Sequence, residues 1–255
     1  MNALERSLVV KAGYDNGWEV VLEDTETAVV LSSALHGGRV AVMPADSRAW
    51  SVRFLAPELT LELSRKVHGA ANPERSFSAA TERALCDLLG DAAALAQSLP
   101  NAPEQRFEKQ LEAALAGAPL GATEVERLVR QRVGQDIFRE SLMTYWGGAC
   151  AVTGIALPEL LRASHAKPWA ECDSDAERLN VYNGVLLCAH LDALFDRFLL
   201  TFTQSGEALL SPMLTDETLR VLGLSRRLRL RWISPSHVHF LVWHRKRCSF
   251  ASVGI

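Results

Sequence analysis

Residues 150–196 concentrate most of the chemically useful side chains of this chain in one short, turn-rich stretch. The segment SHAKPW at 164–169 contributes an imidazole, and the segment NGVLLCAHLDALFD at 183–196 contributes an amide, a second imidazole and two carboxylates. Proline in the first segment and glycine in the second restrict or permit the backbone geometry that tight turns need. Imidazole and carboxylate at this density indicate a metal-dependent hydrolytic site, and the rest of the chain must fold so as to hold this stretch.

The length of the chain and one small-residue segment predict two domains. At 255 residues the chain is longer than most single domains. The segment AGAPLGA at 116–122 places Ala, Gly and Pro in a row, which is typical of a linker. We therefore predict one domain over residues 1–118 and a second over residues 119–255.

The first domain is predicted to be β-rich. Short apolar runs, several of them rich in valine, alternate with turn residues, which predicts an antiparallel sheet of about five or six strands. The runs cover residues 7–12, 18–22, 28–31, 39–43 and 50–55. From Phe77 to Leu115 the apolar residues recur at helical spacing instead. The expected fold is α+β, with these helices covering one face of the sheet.

The second domain combines a long helix with later strand-like segments. A capping box and an apolar stripe predict a helix over residues 123–146, which a Gly-Gly pair then ends. Arginine and leucine alternate in SRRLRLRW at 225–232, and apolar and polar residues alternate in WISPSHVHFLVWH at 232–244, so we predict extended strands there. The arginines would share one strand face, as phosphate contacts or as an ordinary solvated surface.

Composition excludes several classes of protein. Hydrophobic residues make up 48% and charged residues 22% of the chain, which is enough to build a folded core. No apolar run has the length of a membrane span and the N-terminus does not resemble a signal peptide, so we expect a cytoplasmic protein. The five cysteines form no CxxC pair, which argues against a disulfide framework and a four-cysteine zinc site.

The side chains of residues 150–196 suggest individual roles. Imidazole titrates near neutral pH, so His165 is the candidate general base. Asn183 opens an Asn-Gly turn and is expected to hold the His165 loop through backbone hydrogen bonds. Asp192 and His190 are the candidate metal ligands. The expected phosphate-binding residues, close by in sequence, are Lys167, Arg162 and Arg197.

Several motifs in order resemble the HNH endonuclease superfamily. They are VGQDIFRESLMTYW, CAVTG, LLRASHAKPW, ERL and NGVLLCAHLDALFD, and they are most similar to the branch with C-x-x-T-G, S-H-I-K-P-W and N-G-L-L-L-x-x-x-x-D-x-L-F-D. The resemblance covers about residues 130–215, with a weaker similarity in WHRKRCSF. It is confined to the C-terminal half of the chain.

This resemblance implies a ββα-metal fold, in which a hairpin carries the first histidine and a helix carries a metal ligand. His165 then corresponds to the general base, Asn183 to the middle asparagine, and Asp192 to the final histidine, in a metal-binding position. His190 matches a histidine that is frequent in this branch. The resemblance leaves three roles open for it: metal ligand, phosphate contact or support of the site. The metal implied is Mg²⁺, with Mn²⁺, Ni²⁺ or Zn²⁺ as alternatives.

The sequence also departs from the family pattern. Ser164 precedes the base, where many members have a second metal-binding Asp or His. Cys150 and Cys188 lack the partners that would complete a structural zinc site. Ala166 stands where isoleucine is usual, and Phe198 stands where glycine is usual. Ser164 weakens the metal site, whereas the last two changes affect packing.

Together these patterns predict a metal-dependent endonuclease that hydrolyses DNA, of the restriction or phage-defence type, with a β-rich recognition or regulatory domain. Cutting both strands needs two active sites, which suggests a homodimer, although no heptad repeat indicates one. The alternatives are a catalytically impaired DNA-binding module and a toxin whose N-terminal half responds to an effector. Cleavage assays with and without divalent cations separate these hypotheses.

Overall fold

A computed structural model describes residues 1–45, 49–66, 75–116 and 123–250. The described chain divides into two compact units, an N-terminal unit of residues 1–102 and a C-terminal unit of residues 103–255. The linker and the boundary predicted within residues 116–122 lie almost wholly outside the described residues. The boundary at residues 118 and 119 therefore stays a prediction.

The N-terminal unit has an antiparallel sheet with helices, as the α+β prediction requires. Its described strands follow the order β1-β2-β3-β4-β5. The elements are α1 (Ala3–Asp15), β1 (Val20–Asp24), β2 (Val29–Ser32), β3 (Arg39–Pro44), β4 (Trp50–Phe54), α2 (Pro57–Lys66), β5 (Phe77–Ala79) and α3 (Glu82–Ser98). Four of the five predicted runs, from residue 18 to residue 55, correspond to β1–β4. Buried Val29, Leu31, Val40 and Val42 form part of the core.

Two local predictions in this unit were wrong, and one helix was not predicted. Residues 7–12 form part of helix α1, because the Asn2 side chain accepts a hydrogen bond from the Glu5 backbone amide at 2.9 Å and Glu5 completes the capping box. Residues 57–66 form α2, which starts at a proline, a favoured first residue of a helix. Residues 77–79 pair with β4 as a strand, and the helix begins only after Thr81, whose side chain caps it.

The C-terminal unit contains the predicted ββα arrangement. Strands β6 (Leu161–His165) and β7 (Gly184–Cys188) form an antiparallel pair in which His165 lies opposite Gly184. The helix α7 (Ala189–Asp196) follows β7 directly and packs on both strands. The other elements are α4 (Ala102–Leu115), α5 (Thr123–Tyr145), α6 (Asp175–Arg178), β8 (Leu200–Phe202), β9 (Ala208–Leu210), α8 (Asp216–Val221) and α9 (Val238–Arg245).

The strand predictions for residues 225–244 were wrong. Residues 238–245 form α9, preceded by a short 3-10 helix (Pro235–His237) that Ser234 caps through the Ser236 amide. In the arginine-leucine segment only Arg229 forms an isolated bridge, to Glu207. Arg231 donates hydrogen bonds to the carbonyls of Trp146 and Ala149, at 2.6 and 2.8 Å, so this arginine supports the fold.

No helix in the described parts of the chain has both the length and the apolar character needed to cross a membrane.

Candidate active site

His165 ends β6 with its ring held on two sides. One ring face stacks on Phe138 of α5, with centroids 3.6 Å apart and an interplanar angle of 13°. Nε2 lies 2.9 Å from the carbonyl oxygen of Arg178. A carbonyl oxygen can only accept, so the neutral ring carries its proton on Nε2 and leaves Nδ1 able to take one. Burial lowers the pKa of His165 to about 4, so the imidazole is neutral at pH 7.

Gly184 makes room for the Phe138 ring. A β-carbon at this position would lie 2.5 Å from Cζ of Phe138 and 2.8 Å from Cδ1 of Leu142. Both neighbours are fully buried, so neither has free space into which to move. Glycine opposite His165 therefore permits the close stacking of Phe138 on the imidazole.

Gly184→Ala is expected to destabilise the protein by about 1–3 kcal/mol, because the added methyl group overpacks the site. Chemical denaturation monitored by tryptophan fluorescence measures this change. In a Phe138→Leu background the cost of Gly184→Ala should shrink, since the ring that it strikes is gone. An equal cost in both backgrounds would contradict the assigned contact.

Asn183 is fully buried and binds the His165 loop at several points. Its Oδ1 accepts from the Lys167 backbone amide at 2.8 Å, and its Nδ2 lies 3.1 Å from the Lys167 carbonyl, 3.2 Å from the Glu177 carbonyl and 3.3 Å from Cys172 Sγ. The backbone carbonyl of Asn183 also accepts from the Ala166 amide, next to the pairing of His165 with Gly184. One side chain thus joins the segment after the imidazole to α6, as the hydrogen-bonding role predicted for this residue requires.

Lys167 has its charge compensated within the loop. Its ammonium group lies 2.7 Å from Asp173 and 2.8 Å from Glu177, and these bonds raise its pKa. A phosphate would have to compete with both carboxylates for this cation. Arg162 and Arg197 are exposed, and their guanidinium groups bond only to nearby backbone carbonyls, of Glu159 and Leu161 and of Ala193 respectively, among the described residues. Phosphate binding by these three residues stays a prediction.

Asp192 and Asp196 present carboxylates from one face of α7. They are four residues apart, and this spacing places side chains on the same side of a helix. Asp192 Oδ1 accepts from the Ser164 hydroxyl at 2.6 Å, so Ser164 supports this carboxylate. Partial burial of its carboxyl and the charge of Asp192 together raise the pKa of Asp196 to about 6. In the part of the chain that the structure describes, neither carboxylate forms a salt bridge.

His190 occupies a different position relative to these carboxylates. It lies in the first turn of α7, half-buried, and only two residues from Asp192. Residues two apart on a helix point to nearly opposite sides, so helix geometry favours Asp196 over His190 as the neighbour of Asp192. The predicted pairing of His190 with Asp192 as metal ligands is untested and stays a prediction.

The donor set suits a hard divalent cation held loosely. Within the described residues, no group of three or more His, Cys, Asp or Glu side chains is arranged to hold a metal ion. This excludes a closed zinc site built from the described residues. Mg²⁺, by contrast, keeps several waters and needs only one or two carboxylates together with a substrate phosphate. Asp192 and Asp196 meet that requirement.

A pocket of about 300 Å³ opens beside His165. Its lining comprises Ala163, His165, Pro168, Trp169, Asp196, Phe198 and His244. His244 comes from α9, where its ring stacks on Phe195 and lies 2.9 Å from the Thr201 hydroxyl, and burial lowers its pKa to about 4. The imidazole of His165 and one carboxylate of α7 therefore border the same space.

The sequence patterns assign no site role to Trp169, Phe198 or His244, and no individual role to Asp196. The i, i+4 spacing of Asp192 and Asp196 was a usable signal for the second carboxylate. His244 had no such signal, because 79 residues separate it from His165 and its alternating neighbours suggested a strand.

Comparison with known proteins agrees with this geometry. The family model of the HNH endonucleases matches residues 150–203, which span β6, β7 and α7. None of the curated proteins matches the chain.

Proposed function

We propose that the chain, whose C-terminal half contains an HNH endonuclease domain, is a metal-dependent endonuclease that hydrolyses DNA phosphodiester bonds with His165 as its general base. The observation that carries this proposal is the neutral imidazole of His165, with Nδ1 available for a proton, in a pocket that an Asp196 carboxylate also borders. The family match supports a nuclease-type function.

The residues divide the reaction between them. His165 Nδ1 takes a proton from the water that attacks phosphorus, and the Arg178 carbonyl keeps the ring in the required tautomer. Asn183 fixes the loop that follows the base, which preserves the distance between imidazole and phosphate. Asp192 and Asp196, with His190 as the alternative ligand, would hold the cation. When bound, a divalent cation neutralises charge on the phosphate and on the leaving 3′-oxygen.

Incubation of supercoiled plasmid with Mg²⁺, Mn²⁺, Ni²⁺ or Zn²⁺ tests this proposal. We expect conversion to nicked or linear DNA with at least one of these cations and none in EDTA. Intact plasmid under all four cations would contradict the proposed activity. Cleavage that continues unchanged in EDTA would contradict the metal dependence alone.

At Mg²⁺ concentrations high enough to keep the Asp196 carboxylate ionised through cation binding, the rate of cleavage should change little between pH 8 and about pH 5. An unperturbed histidine has a pKa of about 6.5 and would lose half of its basic form there. Because the pKa of His165 is lowered to about 4, its basic form persists as the pH falls and is lost only below about pH 5. A pH–rate profile of kcat/KM measures this, and a half-maximal point near pH 6.5 would contradict it.

A second candidate function is a DNA-binding module that has lost catalysis. Ser164, a weak ligand, and the lack of a three-residue metal cluster among the described residues favour it. Calorimetry distinguishes the two candidates, since only the nuclease proposal requires a divalent cation to bind and Asp192→Asn to weaken that binding. We extend the nuclease proposal to a restriction or phage-defence role. In that role the N-terminal unit would recognise the DNA, and two copies of the chain would act together to cut both strands.

A further inference from the structure

We infer that Phe198 is a substrate-binding residue whose ring stacks on one unpaired nucleobase of the substrate strand, next to the phosphate that is attacked by the water that His165 deprotonates. This inference rests on the proposed nuclease function.

The pocket has two chemically different parts. His165 and Asp196 supply polar groups, whereas Trp169, Pro168 and Phe198 supply apolar and aromatic surface. Its volume of about 300 Å³ lies at the lower end of the range for small-molecule sites. This space suits a single nucleotide unit and excludes a double helix.

The lining is unsuited to a second phosphate. Phosphate sites are lined by arginine, lysine or clustered backbone amides. Among the described residues that border this pocket there is no lysine or arginine, and its one acidic residue would repel an anion. An uncharged, flat group attached to the reacting phosphate fits the lining better, and in a nucleic acid that group is a nucleobase.

The backbone at Phe198 places an aromatic residue in a conformation that favours glycine. Its φ is +55°, in the left-handed region that side chains with a β-carbon rarely adopt. Glycine would occupy this position without conformational cost. Strained positions of this kind persist where the surroundings fix them, and they concentrate at binding and catalytic sites.

Packing alone accounts for only part of the Phe198 ring. The ring lies against His244, with centroids 4.9 Å apart and an interplanar angle of 43°. The residue is nevertheless only half-buried, and it borders the pocket. Aromatic rings presented in this way bind single-stranded nucleic acids by stacking on bases, which requires a base that is outside a duplex.

Two probes with equal charge and two matched variants test the inference. The probes are a short fluorescent oligothymidylate and an abasic chain with the same number of phosphates, and binding is measured by anisotropy in EDTA. Phe198→Leu keeps the β-carbon and the apolar size but removes the aromatic ring, whereas Phe198→Tyr keeps the ring. We expect Phe198→Leu to weaken oligothymidylate binding about tenfold and to leave the abasic chain unaffected. Phe198→Tyr should bind both probes like the wild type.

Several results would overturn the inference. They are equal weakening of both probes by Phe198→Leu, no weakening of either, equal damage by the tyrosine variant, and a wild type that binds the two probes equally or binds neither. In plasmid cleavage, Phe198→Leu should raise KM and preserve kcat. Absence of cleavage by the wild type would contradict the proposed function, whereas wild-type cleavage with an unchanged KM in Phe198→Leu would contradict only the stacking role.

Discussion

Replacing His165 with alanine should lower the rate of plasmid cleavage by about 10²–10⁴-fold, the contribution that a general base makes in a typical enzyme. The expected loss is large because the structure fixes this imidazole in a single useful state. Its Nε2 proton is committed to the Arg178 carbonyl, and its lowered pKa keeps Nδ1 free of a proton at neutral pH. The measurement is the single-turnover rate at saturating metal ion.

The controls separate loss of the base from damage to the site. His165→Gln retains an N–H donor for the Arg178 carbonyl but cannot act as a base at neutral pH, so it should be as inactive as the alanine variant. Added imidazole should partly restore the alanine variant, because the vacated space borders the pocket. His239→Ala, at an exposed position on α9, should retain full activity. Cleavage that survives in both His165 variants would exclude this residue as the base.

The hairpin and helix around His165 could be predicted because their signals are local. The resemblance of residues 150–196 to the HNH pattern placed His165 on a strand and Asp192 on the following helix, and β6 and α7 confirm both expectations. The Asn-Gly pair does not form a hairpin turn, because Asn183 ends a 3-10 helix (Val181–Asn183) and Gly184 begins β7 in an extended conformation. Short motifs with fixed spacing therefore carried the central part of the fold.

Elements whose identity depends on capping were predicted less well. The valine-rich run at residues 7–12 has strand propensity, but the capping box at Asn2 and Glu5 starts a helix through it. Residues 237–240 alternate between polar and apolar side chains, yet Pro235 and the Ser234 cap begin helical structure just before them. In both places a helix start outweighed a weak preference for strand.

The pocket could not be predicted because its walls come from distant parts of the chain. His244 reaches the space beside His165 only because α9 packs on β8, and its contacts to Phe195 and Thr201 join residues more than 40 positions apart. The Phe138 ring of α5 stacks on His165 because Gly184 has no β-carbon to block it. The sequence alone does not show that this glycine lies next to Phe138. Such contacts are set by tertiary packing, so no short motif records them.

Asn183→Asp should have the second-largest effect on stability and cleavage. The side chain keeps its shape, but the Nδ2 donor becomes an oxygen that can only accept. The carboxylate can still accept from the Lys167 amide, but it cannot donate to the carbonyls of Lys167 and Glu177. The Lys167 carbonyl would keep only the weak Cys172 thiol donor, and the Glu177 carbonyl would lose its Asn183 donor; both bonds are partly buried. Each lost bond costs about 1–3 kcal/mol, so we expect a total loss of about 3 kcal/mol in the free energy of unfolding. Displacement of the loop should reduce cleavage about 100-fold.

Asn180→Asp provides a matched control three residues away. Among the described residues, the Asn180 side chain only accepts, from the Tyr182 amide at 2.9 Å, and an aspartate can make the same bond. Guanidinium denaturation should therefore show a change of less than about 0.5 kcal/mol for this variant. Equal effects of the two substitutions would mean that the added charge, and not the lost donor, is responsible. If only Asn183→Asp has a large effect, the donated hydrogen bonds of the Asn183 amide are what hold the loop that follows His165. Asn183 would then affect the reaction without touching the substrate.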